Sequence, residues 1–410
     1  MTVVKSALSD LALFGAAPAF EEPLHVGRPN QGDRQRLFER MSEMLDRNWL
    51  TNDGPFVQEF EQRLADRLQV GNVVVMANAT VGLEIAIRAL GMTGEVIVPA
   101  FTFVATAHAL QWQEITPVFV DVDPVTHTVN PARVEELITP RTSGILGVHL
   151  WGRPCNVVAL AEIAHRRGLR LLYDAAHAFG ATTLGVPIGN FGDAEVFSFH
   201  ATKVLNSFEG GAVVTNDDDL AERMRLMRNF GFAGIDTVVH LGTNGKMSEA
   251  SAAMGLTSLE AFEHFVAVNA ANDADYRAKF DGLPGVRLVE QGAGRGEERN
   301  YHYVVAEIDE LAAGLTRDEL WQVLTTENVF ARRYFHPGAH RMEPYKSFMP
   351  SAHLLLPHTE ALSKRVLVFP TGMAIGPAEI STVADIVRVA VENAPAVRAR
   401  LGRSDTPAGA

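Results

Sequence analysis

The stretch Phe197–Asp217, FSFHATKVLNSFEGGAVVTND, carries the information that decides the fold. An apolar run ends at Phe199 and a second begins at Ala212. The polar turn between them holds Lys203 and the pair Gly210–Gly211. A lysine on a solvated face needs no such surroundings. Ser198, His200, Thr202, Ser207 and Glu209 supply polar groups, and the small side chains around Lys203 leave room for a bulky ligand. An ammonium shielded from water loses part of its preference for the charged form, so its amine becomes available as a nucleophile toward carbonyl compounds.

Outward from this stretch the chain alternates strands and helices. The strand-like runs Val73–Met76, Glu95–Val98, Val118–Val120, Gly144–Leu150, Arg170–Asp174, Glu195–Phe199 and Ala212–Thr215 are short and apolar without polar alternation, which is how strands buried on both faces read. Helical patterns at Val81–Leu90, Val104–Gln111 and Val157–Arg167 fall between them. This rhythm predicts an α/β fold around a mostly parallel sheet covered on both sides. Ahead of it, Phe56, Phe60 and Leu64 recur every four residues, one stripe of an amphipathic helix.

Past residue 250 the rhythm changes. A helix over Ser248–Val268 is followed by a strand Tyr301–Ile308, a helix Arg317–Glu327, a strand Val329–Tyr334 and a closing helix Pro377–Asn393. The expected organisation is an N-terminal segment (1–25) lying over the surface or on a partner, a large domain (26–250), a smaller α+β domain (251–400) and a tail (401–410). The start, MTVVKSALSDLALFGAAPAF, is faintly like an export signal, but Asp10 interrupts its apolar run.

The chain has 410 residues, 47% hydrophobic and 21% charged, with a formal net charge of −13 and no long basic run. That argues against non-specific binding to nucleic acid or anionic membranes. An anionic substrate would therefore need a local cationic contact. No apolar stretch approaches the ~20 residues of a membrane span. Cys155 is the only cysteine, so no intramolecular disulfide exists, in keeping with a cytoplasmic protein. No metal site is expected.

In open α/β sheets ligands bind beyond the carboxyl ends of the strands, and several reactive residues fall there. Asp174 ends LRLLYD, and Lys203 follows EVFSF within a few residues. Thr102 and Phe103 follow EVIVPA. Asn78, Ala79 and Thr80 lie between a strand and a helix start, where backbone N–H groups can hold an anion. A lysine, a carboxylate and an anion-binding turn suit pyridoxal phosphate. The amine forms the Schiff base, and the carboxylate keeps the pyridine nitrogen protonated so that the ring draws electrons.

The ordered motifs carry a resemblance. NWLTNDGPFVQEFE, VPAFTFVATAHAL, VDVDPVTHTVNP, GVHLWGRPC, YDAAHAFGA, FSFHATKVLNSFEGG, GTNGKMSEASAAMGL and RRYFHPGAH follow one another between Gly27 and Val391. In this the chain resembles the DegT/DnrJ/EryC1/StrS family of pyridoxal-phosphate-dependent nucleotide-sugar aminotransferases. The resemblance implies the type I fold of aspartate aminotransferase, with a mostly parallel seven-stranded sheet, and a homodimer with shared active sites. It also implies that Lys203 carries the cofactor, Asp174 pairs with the pyridine nitrogen and Phe103 stacks on the ring. Ala79, Thr80 and Ser198 would bind the phosphate, joined by Asn244 of the neighbouring subunit. Two departures stand out. His177 occupies a position where many relatives have Gln, which contacts the cofactor's phenolic oxygen, and a histidine can titrate near neutrality. Asn78-Ala79-Thr80 replaces a common Ser-Gly-Thr turn.

The activity implied is transfer of an amino group from L-glutamate, through the pyridoxamine form, to a keto-deoxysugar nucleotide. The expected substrate is dTDP-4-keto-6-deoxy-D-glucose, within deoxysugar biosynthesis for a natural product or polysaccharide. A 3-keto sugar nucleotide is the alternative. A dehydratase relative would carry histidine in place of Lys203, and a non-catalytic regulator would leave the catalytic set idle. His149, Trp151, Lys246, Tyr334, His336 and His340 are the candidates for the sugar pocket, with Lys246 a possible contact for the nucleotide diphosphate.

Overall fold

The computed structural model describes residues 4–290 and 297–402. Seven strands form the central sheet: β1 (Asn72–Met76), β2 (Glu95–Pro99), β3 (Thr116–Val120), β4 (Thr142–Val148), β5 (Arg170–Asp174), β6 (Ala194–Ser198) and β7 (Gly211–Thr215). Their order is β1-β7-β6-β5-β4-β2-β3. Only β7 runs against its neighbours, β1 and β6. The seven apolar runs of the sequence are these strands, with ends shifted by at most two residues. Burial on both faces explains their lack of alternation.

Helices Ala79–Ala89, Val104–Gln111 and Asp218–Arg228 cover one face, through a core that includes Leu83, Ala107 and Met224. On the other face, Pro55–Leu68 presents the Phe56/Phe60/Leu64 stripe to Phe199 and Val214, and Val157–Arg167 packs Leu160 and Ile163 against Ile145 and Leu171. The expected helix over Ser248–Val268 is two helices, Glu249–Glu260 and Phe262–Phe280, because the backbone breaks at Ala261. The first packs onto Pro55–Leu68. There Gly255 lies so close to Phe60 that a Cβ would fall 2.6 Å from the ring.

A second core surrounds an antiparallel sheet of β8 (Val286–Leu288), β9 (Val304–Ile308) and β10 (Val366–Phe369). Helices Phe262–Phe280, Arg317–Thr326 and Pro377–Glu392 contribute Phe280, Leu320 and Val387 to it. The strand expected over Val329–Tyr334 pairs at Val329–Phe330 and again, through a single antiparallel bridge, between Arg332 and Val368 of β10.

The N-terminal segment departs from expectation. Rather than lying over the surface, it inserts Leu11 and Phe20 into this second core, and Leu24–His25 pairs in parallel with Val329–Phe330. Lys5 Nζ meets Glu327 at 2.9 Å with both side chains fully buried. The same carboxylate accepts the N–H groups of Ala12 and Ala19. Such a buried pair holds because its remaining polar capacity is satisfied. Residues 403–410 of the expected tail lie outside the described residues.

Candidate active site

A cavity of about 570 Å³ opens at the carboxyl ends of the parallel strands. Val148 reaches it from the end of β4, Asp174 from β5 and Ser198 from β6. Thr102 and Phe103 come from the turn after β2, and Asn78, Ala79 and Thr80 from the turn after β1. Lys203 enters from the loop between β6 and β7. Tyr303, next to β9, and Arg332, Tyr334 and Phe335, just past Val329–Phe330, close the cavity from the other side. Strands far apart in sequence thus deliver a lysine, a carboxylate and a helix start to one cleft.

Asp174 is buried. It accepts the Ala176 N–H at 3.0 Å and the Thr106 hydroxyl at 2.8 Å. Burial pushes its carboxyl upward, while those donors and the charge of Lys203 oppose the shift. A cation placed against it would restore the anion. Lys203 Nζ has no hydrogen bond or ion pair among the described residues. Burial lowers it to about 8, against an opposing pull from Asp174. Enough free amine therefore exists near neutrality for nucleophilic and proton-transfer chemistry.

The helix Ala79–Ala89 begins in the cavity. Asn78 caps it by accepting the Val81 N–H. The N–H groups of Ala79 and Thr80 belong to the first turn and have no intrahelical acceptor, so they suit a phosphate. Gly211 brings β7 against this turn: a Cβ there would lie 2.6 Å from the Ala79 nitrogen. Close backbone approach is therefore what the Gly-Gly pair provides. Phe103, 56% exposed at the lip, presents an open aromatic face. Helix start, lysine, buried carboxylate and aromatic face together fit pyridoxal phosphate.

The sequence left His177 open to titration near neutrality. Its Nδ1 accepts the Trp151 N–H at 3.2 Å, its ring lies parallel to Phe335 at 6.0 Å, and Tyr303 meets it edge-on at 4.9 Å. Burial and the neighbouring Lys203 and His302 push it well below its ordinary value. It is a neutral ring at physiological pH.

Of the expected sugar-pocket residues, only Tyr334 lines the cavity. His149 is fully buried away from it, stacked on Tyr173 at 4.6 Å and bonded through Nε2 to Glu195 at 3.0 Å. Trp151 is buried between Phe101 and His127. His340 is buried against Glu360 at 2.7 Å. None of these three lines the cavity. His336 is exposed, bonded to the Ser363 carbonyl at 3.3 Å, and does not line the cavity. Lys246 bonds Asn229 at 3.0 Å and lies over Phe230, also outside the cavity. Asn244 is exposed on the same loop, which reaches the phosphate turn through the Gly245 carbonyl and the Ala77 N–H.

Sequence reasoning missed Arg332, Tyr303 and Phe335. Arg332 brings a cation to the cavity and has no side-chain partner among the described residues. It neighbours Tyr334 in RRYFHPGAH, but nothing in that motif tells which of its basic residues faces inward.

Residues 31–388 match the DegT/DnrJ/EryC1/StrS aminotransferase family. The chain belongs to this family. It is 39% identical over 317 residues to the dTDP-4-amino-4,6-dideoxy-D-glucose transaminase of Shigella dysenteriae, covering 77% of this chain and 86% of that one. With the GDP-perosamine synthase of Caulobacter vibrioides it shares 36% over 369 residues, covering 88% and 96%. The solved structure of DesI in the presence of its TDP-sugar product superposes with a TM-score of 0.92 at 51% identity, covering 97% of this chain and all of that one. As a member of this family the chain is a pyridoxal-phosphate-dependent sugar aminotransferase with the type I fold. No helix among the described residues is long and apolar enough to cross a membrane.

Proposed function

We propose that the protein transfers an amino group from L-glutamate to carbon 4 of dTDP-4-keto-6-deoxy-D-glucose. The observation that carries this reading is the 39% identity to a dTDP-4-amino-4,6-dideoxy-D-glucose transaminase across most of both chains. Likeness to DesI with a TDP-sugar product supports the same nucleotide. The comparable identity to GDP-perosamine synthase favours, as the second reading, a GDP-linked sugar.

Bound pyridoxal phosphate supplies an electron-withdrawing ring that stabilises negative charge on the carbon losing its proton. The protein's part is holding and proton transfer. Asp174 would hold the protonated ring nitrogen, Ala79, Thr80 and Ser198 the phosphate, and Phe103 one ring face. His177 would donate to the phenolic oxygen. Lys203 would carry the cofactor, and its amine, lowered by burial, would take the proton from the donor's α-carbon and give a proton to the sugar carbon that gains nitrogen. Arg332 is the cation at the cavity mouth suited to a carboxylate or diphosphate. The protein is further proposed to act as a cytoplasmic homodimer, with Asn244 serving the partner's phosphate site.

The test is competition among the dTDP-linked 4-keto, dTDP-linked 3-keto and GDP-linked 4-keto 6-deoxyhexoses with glutamate as donor. Products are read by mass spectrometry and NMR. Amination of the dTDP-linked 4-keto sugar at carbon 4 is expected to dominate. Nitrogen on carbon 3, or preference for the GDP sugar, would overturn the substrate while leaving the reaction class intact.

A further inference from the structure

His149 is buried behind the site, yet its hydrogen bonds hold the turn 149–155, whose Trp151 N–H reaches His177 at the cavity. Glu195, fully buried, accepts the N–H groups of Gly189 at 2.7 Å and Phe191 at 2.8 Å through one oxygen. Its other oxygen faces His149 Nε2 at 3.0 Å. His149 Nδ1 lies 3.0 Å from the Cys155 N–H, which can only donate. Burial lowers the ring while the Cys155 thiol and Glu195 raise it, to about 10. A backbone N–H facing Nδ1 nevertheless leaves no site for a second proton, so Nδ1 keeps its lone pair and the His149 proton sits on Nε2, directed at Glu195.

This fixes both ends of the turn 149–155. At one end the His149 N–H donates to the Asp174 carbonyl at 3.0 Å. At the other the Cys155 thiol donates to the Val148 carbonyl at 3.0 Å. Between them Trp151 adopts a left-handed backbone, φ 57° and ψ 22°. An aromatic residue takes that conformation only where its surroundings impose it, at a cost of about 1–3 kcal/mol. The conformation aims the Trp151 N–H at His177 Nδ1. The opposite wall is pinned as well, since Asn300 Nδ2 donates to the carbonyls of His177 at 2.8 Å and Phe179 at 3.0 Å.

We propose that His149 is a positioning residue for His177: it holds the turn whose Trp151 N–H occupies Nδ1 of His177, so that His177 meets the cofactor as a neutral ring with its proton fixed on Nε2. A backbone donor at Nδ1 leaves no room for a proton there. His177 Nε2, without a protein partner among the described residues, is left as the donor toward the cavity. The titratable groups around the ring are Lys203, His302, Tyr303 and Asp174. Lys203 and His302 disfavour an imidazolium, and so does burial. A ring locked in this way offers the cavity a hydrogen-bond donor that does not titrate near neutrality. This inference rests on the cofactor site and not on which sugar is aminated, so an error in the sugar leaves its outcome unchanged.

The experiment is nitrogen NMR of holoenzyme labelled with ¹⁵N-histidine, with the His177 signals assigned by their loss in His177→Gln. The wild type should show a pyridine-type Nδ1 and a pyrrole-type Nε2, unchanged from about pH 6 to about pH 8.5. His149→Phe keeps a ring on Tyr173 but removes the acceptor for Cys155, and should replace that pattern by averaged or pH-dependent shifts. His149→Asn places an amide oxygen near the former Nδ1 and should retain the wild-type pattern. A protonated or Nδ1–H His177 in the wild type would overturn the proposal. So would an unchanged pattern in folded His149→Phe. Should His149→Phe not fold, an altered pattern in His149→Asn overturns it.

Discussion

Gly211 stands against Ala79 so closely that a Cβ on it would lie 2.6 Å from the Ala79 nitrogen and 2.8 Å from the Asn78 carbonyl carbon. The contact joins the strand after the lysine loop to the helix start proposed to hold the cofactor phosphate. Gly211→Ala must push the two apart. Overpacking of this kind costs about 1–3 kcal/mol, and here it moves the N–H groups proposed to bind the anion. The expected result is a rise of about tenfold or more in the dissociation constant for pyridoxal phosphate, read by fluorescence quenching, with a lowered Tm. Wild-type affinity in the variant would show that the turn tolerates displacement.

Lys203 should be the only lysine labelled when holoenzyme is reduced with borohydride and mapped by peptide analysis. Its amine is free of protein partners among the described residues and is lowered to about 8. Lys203→Ala should lose the label and all measurable turnover, because covalent anchor and proton carrier are one group. A label elsewhere, or an active Lys203→Ala, contradicts the assignment.

How much of this was legible in the sequence depends on where each residue sits relative to the sheet. The seven strands announced themselves through unbroken apolar runs, and strand ends placed Asp174, Ser198, Phe103 and Lys203 correctly in one cleft. His149 and Trp151 also follow a strand, β4, but their turn folds back into the interior. Only the left-handed Trp151 and the Glu195 partner, 46 residues away in sequence, reveal that. The N-terminal segment was misjudged because its anchor joins Lys5 to Glu327, far apart in the chain, and has no local signature.

Asp174→Asn should retain cofactor, since helix start and lysine are untouched, yet lose most activity. A neutral amide no longer favours a protonated ring nitrogen, and a charge-assisted hydrogen bond is worth about 1.5–3 kcal/mol. Turnover should fall by about one to two orders of magnitude or more. Stopped-flow measurement of each half-reaction checks this. Unchanged rates with full cofactor occupancy would refute the electron-sink role.

Glu360 links acid stability to His340 and Arg341, each donating at 2.7 Å. Burial raises this carboxyl, but the bonds from Arg341 and His340 outweigh it and hold it at about 2, below its ordinary 4.5. A depressed carboxylate stabilises the fold above its unfolded value and loses that contribution as pH falls toward its folded value. Glu360→Gln should therefore cost about 1–3 kcal/mol near neutral pH, with the gap to wild type shrinking below about pH 4.5. Denaturant titrations across pH read it. A gap constant down to the acid limit would reject the linkage.

Asn244 is exposed and outside its own cavity, on a loop that also leaves Ile235 93% exposed and Leu241 69% exposed. Apolar groups displayed so fully on one loop suit burial against a second copy of the chain. Such burial would carry Asn244 toward the partner's phosphate turn. Lys203→Ala and Asn244→Ala homodimers should each be impaired. Mixed dimers of the two have one site with both residues intact, and about half the wild-type activity per dimer is the ceiling if the sites act independently. Recovery above both parents, in heterodimers purified by two affinity tags, is the expected outcome. No recovery in verified mixed dimers would place Asn244 in its own subunit's site or in none.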